Sequence, residues 1–246
     1  MKIFSKTDIG LLRDENQDCV WSAALSDNSC AAVLCDGMGG EMHGGVASRL
    51  AVDVISKRIS ENFTEYMSRN TVRNLLITAV SAANSIVYDA ALKEPDGTVM
   101  GTTCVAAIVS GGRAYIVNVG DSRGYHLFTS DDSECIQQVT KDHSHVRDLI
   151  DRGEITEEQA RTHPERNKIT RAIGADSSVT TDYFEVDMAE GDMLLLCSDG
   201  LSSYGDDMDI LDICFENPPE RVCDELVDYA NGNGGHDNIS VALFAV

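Results

Sequence analysis

The chain has 246 residues, 43% of them hydrophobic, enough for one large core or at most two small ones. Lys and Arg number 19 against 41 Asp and Glu, a net charge of −22, and such a surface excludes a nucleic-acid backbone as partner, because that needs clustered cations. No apolar run approaches the ~20 residues of a membrane-spanning helix, so neither a membrane nor export is expected.

The eight cysteines (Cys19, Cys30, Cys35, Cys104, Cys135, Cys197, Cys214, Cys223) include no C-x-x-C pair. Cys35 and Cys197 end the apolar runs Ala31-Ala32-Val33-Leu34 and Leu194-Leu195-Leu196, so the set reads as buried thiols of a reducing, cytoplasmic compartment. No linker, repeat or low-complexity tract divides the chain, and residues 1–246 are expected to form one domain.

In chain order, Val20 to Leu25 and Cys30 to Cys35 flank the turn-like Ser26-Asp27-Asn28-Ser29 and predict a strand pair. From Val46 to Phe63 the positions Leu50, Ala51, Val54, Ile55 and Ile59 recur at the helical period, and a second helix follows on Val72, Leu75, Leu76, Ala79, Val80, Ala83, Ile86 and Val87. The two should pack side by side on one layer. Strands return at Thr103 to Val109 and Ala114 to Val119, joined by Gly111-Gly112, then at Tyr125 to Phe128. The segment near 144–173 carries many charges and short helical patterns, with Thr156-Glu157-Glu158 as a helix start, and reads as a less-packed insertion. Strands at Tyr183 to Val186 and Asp192 to Cys197 follow. Asn217-Pro218-Pro219-Glu220 predicts an N-cap and first turn for a helix running to about Ala230 and stopping at Gly232, before a last strand, Ile239 to Val246. The pattern predicts an α+β fold in which stacked antiparallel sheets are covered by helices.

Asp18, Asp36, Asp199 and Asp237 stand at predicted strand ends beside glycine or small polar residues, where a carboxylate can leave a packed sheet and face a cleft. Two such strands, ending in Asp36-Gly37 and Asp199-Gly200, would bring carboxylates together, and their repulsion is costly unless a cation lies between them. Hard oxygen ligands suit Mg²⁺ or Mn²⁺ and not zinc. Singly, each Asp-Gly is also an ordinary turn signal, and the acidic balance as a whole is also a matter of solubility.

The order of the segments is more specific than any one of them. Arg13-Asp14-Glu15-Asn16-Gln17-Asp18, Asp36-Gly37-Met38-Gly39-Gly40, Gly101-Thr102-Thr103, Gly120-Asp121-Ser122-Arg123, Thr140-Lys141-Asp142-His143-Ser144, Ser198-Asp199-Gly200-Leu201 and Gly235-His236-Asp237-Asn238 follow one another along the chain. This set resembles the metal-dependent protein serine/threonine phosphatases, the type 2C or PPM family, in its compact bacterial form. The resemblance implies a four-layer α/β/β/α sandwich of two antiparallel sheets flanked by helix pairs, with the insertion as a flap beside the site. It implies that Asp36 bridges two metal ions, that the Gly37 carbonyl is a further ligand, that Asp199 and Asp237 complete the second ion's shell, and that Asp18 lies at the same cluster, directly or through water. Arg13 would bind the substrate phosphate, and Asp121 with Asp199 would hold a weaker third ion. The ions would be Mn²⁺ or Mg²⁺, and the partners phosphorylated proteins, met by a monomer.

The chemistry so implied is hydrolysis of phosphoserine and phosphothreonine by a metal-activated water, with Arg13 matching phosphate oxygens in pairs. Many eukaryotic members carry a histidine, proposed as the leaving-group acid, two residues after the bridging aspartate. Met38 occupies that position here, as methionine does in many bacterial members, which leaves the task to another group. His43 and His143 lie near motif residues but read as structural or surface histidines. Two alternatives stand beside this reading: a catalytically weak relative that only binds phosphoproteins, and a different two-metal phosphohydrolase. All four acidic positions are present, which opposes the first, and only His236 adjoins an acid of the set, which opposes the second.

Overall fold

The computed structural model describes residues 1–94 and 100–246, apart from the side chains of 40–42. One antiparallel sheet holds β2 (Asp18–Ser26), β3 (Ser29–Met38), β5 (Cys104–Ser110), β6 (Arg113–Val119) and β9 (Asp182–Asp187) in the order β2-β3-β5-β6-β9, with the short β4 (Gly101–Thr102) paired to β3. The other runs β1-β11-β10-β7-β8, from β1 (Lys2–Asp8), β11 (Ile239–Ala245), β10 (Met193–Cys197), β7 (Arg123–Ser130) and β8 (Ser133–Gln138).

Side-chain alternation assigns the buried apolar strand residues to one of three layers. In β3, Ala31, Val33 and Cys35 face α1 (Gly40–Asn62) and α2 (Arg69–Ala91), where Ile55, Ile59, Leu76 and Val80 are fully buried. The even residues Cys30, Ala32 and Leu34 face the second sheet and meet Leu194, Leu196, Ala242 and Phe244. On that sheet's outer side, Leu195, Val241 and Leu243 pack on the short α5 (Asp199–Ser202), α6 (Asp207–Glu216) and α7 (Pro219–Gly232). The result is the expected four-layer α/β/β/α sandwich.

Gly111 and Gly112 turn the β5–β6 hairpin with φ of 59° and 72°, as predicted. The insertion carries α3 (His145–Asp151) and α4 (Glu157–Arg161), and Thr156 caps α4 in a reciprocal capping box with Gln159. Those helices bury only Ala160, so the segment is lightly packed along its length, although Ile173 at its end is fully buried.

Three expectations are corrected. The first helix begins at Gly40, not Val46, because the glycine-rich approach is packed directly against Gln17 and Gly37. Asn217 does not cap α7: it closes α6, donating from Nδ2 to the Ile213 carbonyl at 2.9 Å, and Pro218 takes the N-cap position with no side-chain bond. Of the eight free cysteines, Cys19 and Cys135 are only partly buried.

Candidate metal and phosphate site

The site lies at the open end of the layer between the sheets. Asp18 and Asp36 are directly paired across β2 and β3, and both continue the even-numbered row that faces the second sheet. Ser198 and Ser240 continue the matching rows of β10 and β11. The Ser198 hydroxyl donates to Asp18 Oδ2 at 2.8 Å and accepts the Ser240 amide at 2.9 Å. The apolar layer thus ends in a polar one, and acids there need not be surrounded by hydrocarbon.

Backbone contacts hold the acids in place. The Asp36 amide donates to Thr103 Oγ1 at 2.9 Å, and its carbonyl accepts from the Thr103 amide at 2.8 Å and Thr102 Oγ1 at 2.7 Å. A Cβ on Gly37 would collide with the Gly44 carbonyl and crowd that of Gln17, so only glycine lets α1 approach β3 so closely. Asn238 ties its own loop to the β1–β2 loop at three points: its Nδ2 donates to the Ile9 and Glu15 carbonyls, each at 2.9 Å, and its Oδ1 accepts the Gln17 amide at 2.8 Å. This brings the Arg13 loop beside Asp237, where Arg13 Nη2 donates to Asp237 Oδ2 at 2.6 Å. Asp199 is the first residue of α5 rather than the last of a strand.

A cleft of about 650 Å³ is lined by Arg13, Asp36, Gly37, Met38, Asp121, Asp199 and Asp237 among others, so six of the seven predicted site residues share it. Asp18, 8% exposed, stands behind its wall. Asp121 and Asp199 also line a second cavity of about 870 Å³, roofed by α3 and α4 and floored by the Arg123–Asp142 pair.

These carboxylates are enclosed by protein and by one another. Enclosure raises the Asp18 carboxyl to about 7, against the Ser240 and Ser198 hydrogen bonds that favour its anion, with Asp199 and Asp237 adding repulsion. Enclosure, then Asp199 and Asp142, raises Asp121 to about 8, and enclosure and Asp237 raise Asp199 to about 6. Asp36 is held well above the ordinary carboxylate range by enclosure and then by Asp18, Asp199, Asp121 and Asp237. Oδ1 of Asp18 and Oδ1 of Asp199 are buried without a hydrogen-bond partner. Buried acceptors left open in this way suit a cation. Among the described residues no three acidic, histidine or cysteine side chains already stand around one point as a finished shell.

Sequence reasoning gave no role to Ser198, Ser240, Thr103 or Asn238. Ser198 and Asn238 adjoin Asp199 and Asp237 in sequence, and that adjacency was the available signal. Arg13 pairs with Asp237 from the far end of the chain and not with its sequence neighbours Asp14 or Glu15.

The model of the family described as protein phosphatase 2C matches residues 13–237. The chain belongs to that family. It is 37% identical over 239 residues, 97% of its length and 93% of the relative's, to a protein of Listeria welshimeri named serine/threonine phosphatase stp. Its fold superposes with a TM-score of 0.90 on the serine/threonine phosphatase of S. agalactiae, at 32% identity and covering 100% of this chain and 99% of that one. It superposes with a TM-score of 0.82 on the catalytic domain of the serine/threonine protein phosphatase PstP in complex with two manganese ions, at 33% identity and covering 98% and 96%. No described helix is long and apolar enough to cross a membrane.

The raised carboxyls have a measurable consequence in the metal-free protein. Values of about 7, 8 and 6 for Asp18, Asp121 and Asp199 lie above the ~4 of an unfolded carboxylate. Between those limits the folded state binds more protons than the unfolded chain, so these groups make stability fall as pH rises from about 4 to about 8. The Tm of chelator-treated protein should fall between about pH 5 and about pH 8, Asp199→Asn should flatten the decline, and Mn²⁺ should raise Tm more at the upper pH. A Tm that rises across that interval without metal would contradict the assignment.

Proposed function

We propose that this protein hydrolyses phosphoserine and phosphothreonine on proteins, using divalent cations held by aspartates. The observation that carries the proposal is the convergence of five aspartates at the open end of the inter-sheet layer, two of them with buried, unpartnered oxygens, in a chain of the protein phosphatase 2C family. The whole chain acts as one catalytic domain, with residues 144–173 as its flap. The free cysteines support work in the cytoplasm, and one chain supplies every proposed site residue, as a monomer requires.

Asp36 would bridge two core ions, Mn²⁺ or Mg²⁺, with Asp18, Asp199, Asp237 and the Gly37 carbonyl completing their shells. When bound, such a pair supplies an activated water and neutralises charge on the phosphoryl group. Arg13, about half exposed, would exchange part of its contact with Asp237 for the substrate phosphate, whose oxygens its planar fork matches in pairs. Met38 offers no proton to the leaving alkoxide. Asp121 with Asp199 would hold a weaker third ion beside the flap and place there the proton source that Met38 cannot supply. The flap's basic residues would meet the peptide around the phosphorylated side chain. A phosphodiesterase is disfavoured because no histidine lines the cleft among the described residues, and a mere phosphoprotein binder is disfavoured because every acidic position is intact.

The primary test is hydrolysis of phosphoserine, phosphothreonine and phosphotyrosine peptides with Mn²⁺ and then with chelator. Asp36→Asn and Asp199→Asn are each expected to abolish turnover while the protein remains folded. Retention of more than about a tenth of wild-type activity in both at saturating Mn²⁺ would refute their role. Arg13→Ala should lower kcat/KM for a phosphopeptide by about 2–4 kcal/mol of transition-state binding, and an unchanged kcat/KM would return Arg13 to the surface. Asp121→Ala should lose more activity on phosphopeptides than on p-nitrophenyl phosphate, whose phenolate leaves without protonation. Equal losses across a Mn²⁺ titration would remove the leaving-group role.

A further inference from the structure

His143 lies outside the carboxylate cluster, yet it is tied to one member of it. Its side chain is buried at the root of the flap, where Ser144 bridges Ile169 and the Thr170 amide donates to the His143 carbonyl at 2.8 Å. The ring reaches Gly120, the residue before Asp121. The Gly120 amide donates to His143 Nδ1 at 3.0 Å, and the Gly120 carbonyl accepts from the His143 amide at 2.9 Å and from Asn118 Nδ2 at 3.2 Å. Gly120 has φ of 106°, and a Cβ there would collide with Thr103, the residue that pins the Asp36 backbone.

The direction of these bonds sets the tautomer. An amide N–H can only donate, so Nδ1 is bare and the ring proton sits on Nε2. Nε2 faces Asp182 Oδ2 at 3.2 Å. Arg171 Nη1 lies 2.8 Å from the same ring nitrogen, but its two N–H groups are taken by Asp182 Oδ1 at 2.7 Å and the Thr180 carbonyl at 3.2 Å, which leaves the Nε2 proton to Asp182 Oδ2. Burial holds the imidazole pKa below its ordinary value, against the pull of Asp182, which keeps the ring neutral and Nδ1 free to accept.

We infer that His143 is a positioning residue, whose bare Nδ1, oriented by Asp182 at Nε2, locks the Gly120 peptide and so aims the Asp121 carboxylate into the cleft from the flap root. The inference rests on the reading of Asp121 as a site residue and gives that reading a mechanical cause. Glycine has little intrinsic preference at this position, so without the imidazole the Gly120 peptide can rotate and carry Asp121 with it. Because the flap stem hangs on the same residue, flap root and Asp121 share one anchor.

The unaltered protein provides the first test, through nitrogen NMR of ¹⁵N-histidine, with the His143 signals assigned by their loss on substitution. A neutral ring protonated at Nε2 is expected, and an Nδ1-protonated ring at His143 overturns the inference. The second test uses amides of two lengths, since the side-chain oxygen introduced by His143→Asn falls near the place of Nδ1 whereas that introduced by His143→Gln falls near Nε2. With Tm measured to establish folding, kcat/KM on a phosphoserine peptide and on p-nitrophenyl phosphate is compared with Mn²⁺ binding by equilibrium dialysis. His143→Gln should lose about 10–100-fold in phosphopeptide kcat/KM or in affinity for the weakest Mn²⁺, while His143→Asn stays within about threefold of wild type. Equal losses in the two variants, or none in His143→Gln, overturn it; should His143→Gln fail to fold, the tautomer and the His143→Asn result decide. Failure of the wild type on both substrates with Mn²⁺ would defeat the phosphatase reading instead, and the tautomer and Mn²⁺ binding would still judge His143.

Discussion

Everything at the working end of this molecule depends on holding like charges together. Enclosure raises the proton affinity of Asp18, Asp36, Asp121 and Asp199, and repulsion within the cluster, to which Asp237 contributes at Asp18, Asp36 and Asp199, adds to the effect. A folded chain carries such a cluster only if something neutralises it or the rest of the fold outweighs its cost. Here the fold supplies three extensive apolar layers, and the cluster sits where the middle one runs out.

The manner of support matters as much as the strength. Thr102 and Thr103 grip the backbone of Asp36 rather than its carboxylate, Asn238 grips the β1–β2 loop beside Asp237, and Ser198 satisfies only one oxygen of Asp18. Backbone restraint fixes where each acid stands while leaving carboxylate oxygens open to ions. A cluster satisfied internally by side-chain donors would be more stable and less able to bind them. Clefts of this kind exchange stability for function.

Charge at two scales also has to be kept apart. The chain is strongly acidic as a whole, which would repel a phosphorylated substrate at long range. Divalent ions reverse the sign locally, and Arg13 and the basic residues around the second cavity work in the same direction over a short distance.

The periodicities of the chain alone determined most of its architecture. The unbroken apolar run Ala31 to Cys35 reports a strand buried on both faces, and the three-four spacing from Leu50 to Ile59 reports one buried helix face, because burial acts residue by residue along a regular element. The ordered Asp-Gly and Gly-Asp segments carried the family for the same reason: each is a local solution to placing a carboxylate beside a flexible backbone. Elements without a strong local signature escaped. β1 mixes Lys2 and Lys6 with adjacent Ile3 and Phe4, and β8 is an edge strand with a polar face; α6 did carry helical spacing in Ile210, Leu211 and Cys214, which went unused. Only the tertiary structure decided what lies across each face. It set Asp18 behind the cleft against Ser198, paired Arg13 with Asp237 from the other end of the chain, and joined His143 to Gly120. Those contacts follow from the register and stacking of two sheets whose strands interleave along the sequence, and no local pattern encodes the relative placement of segments that meet only when both sheets have closed on one another.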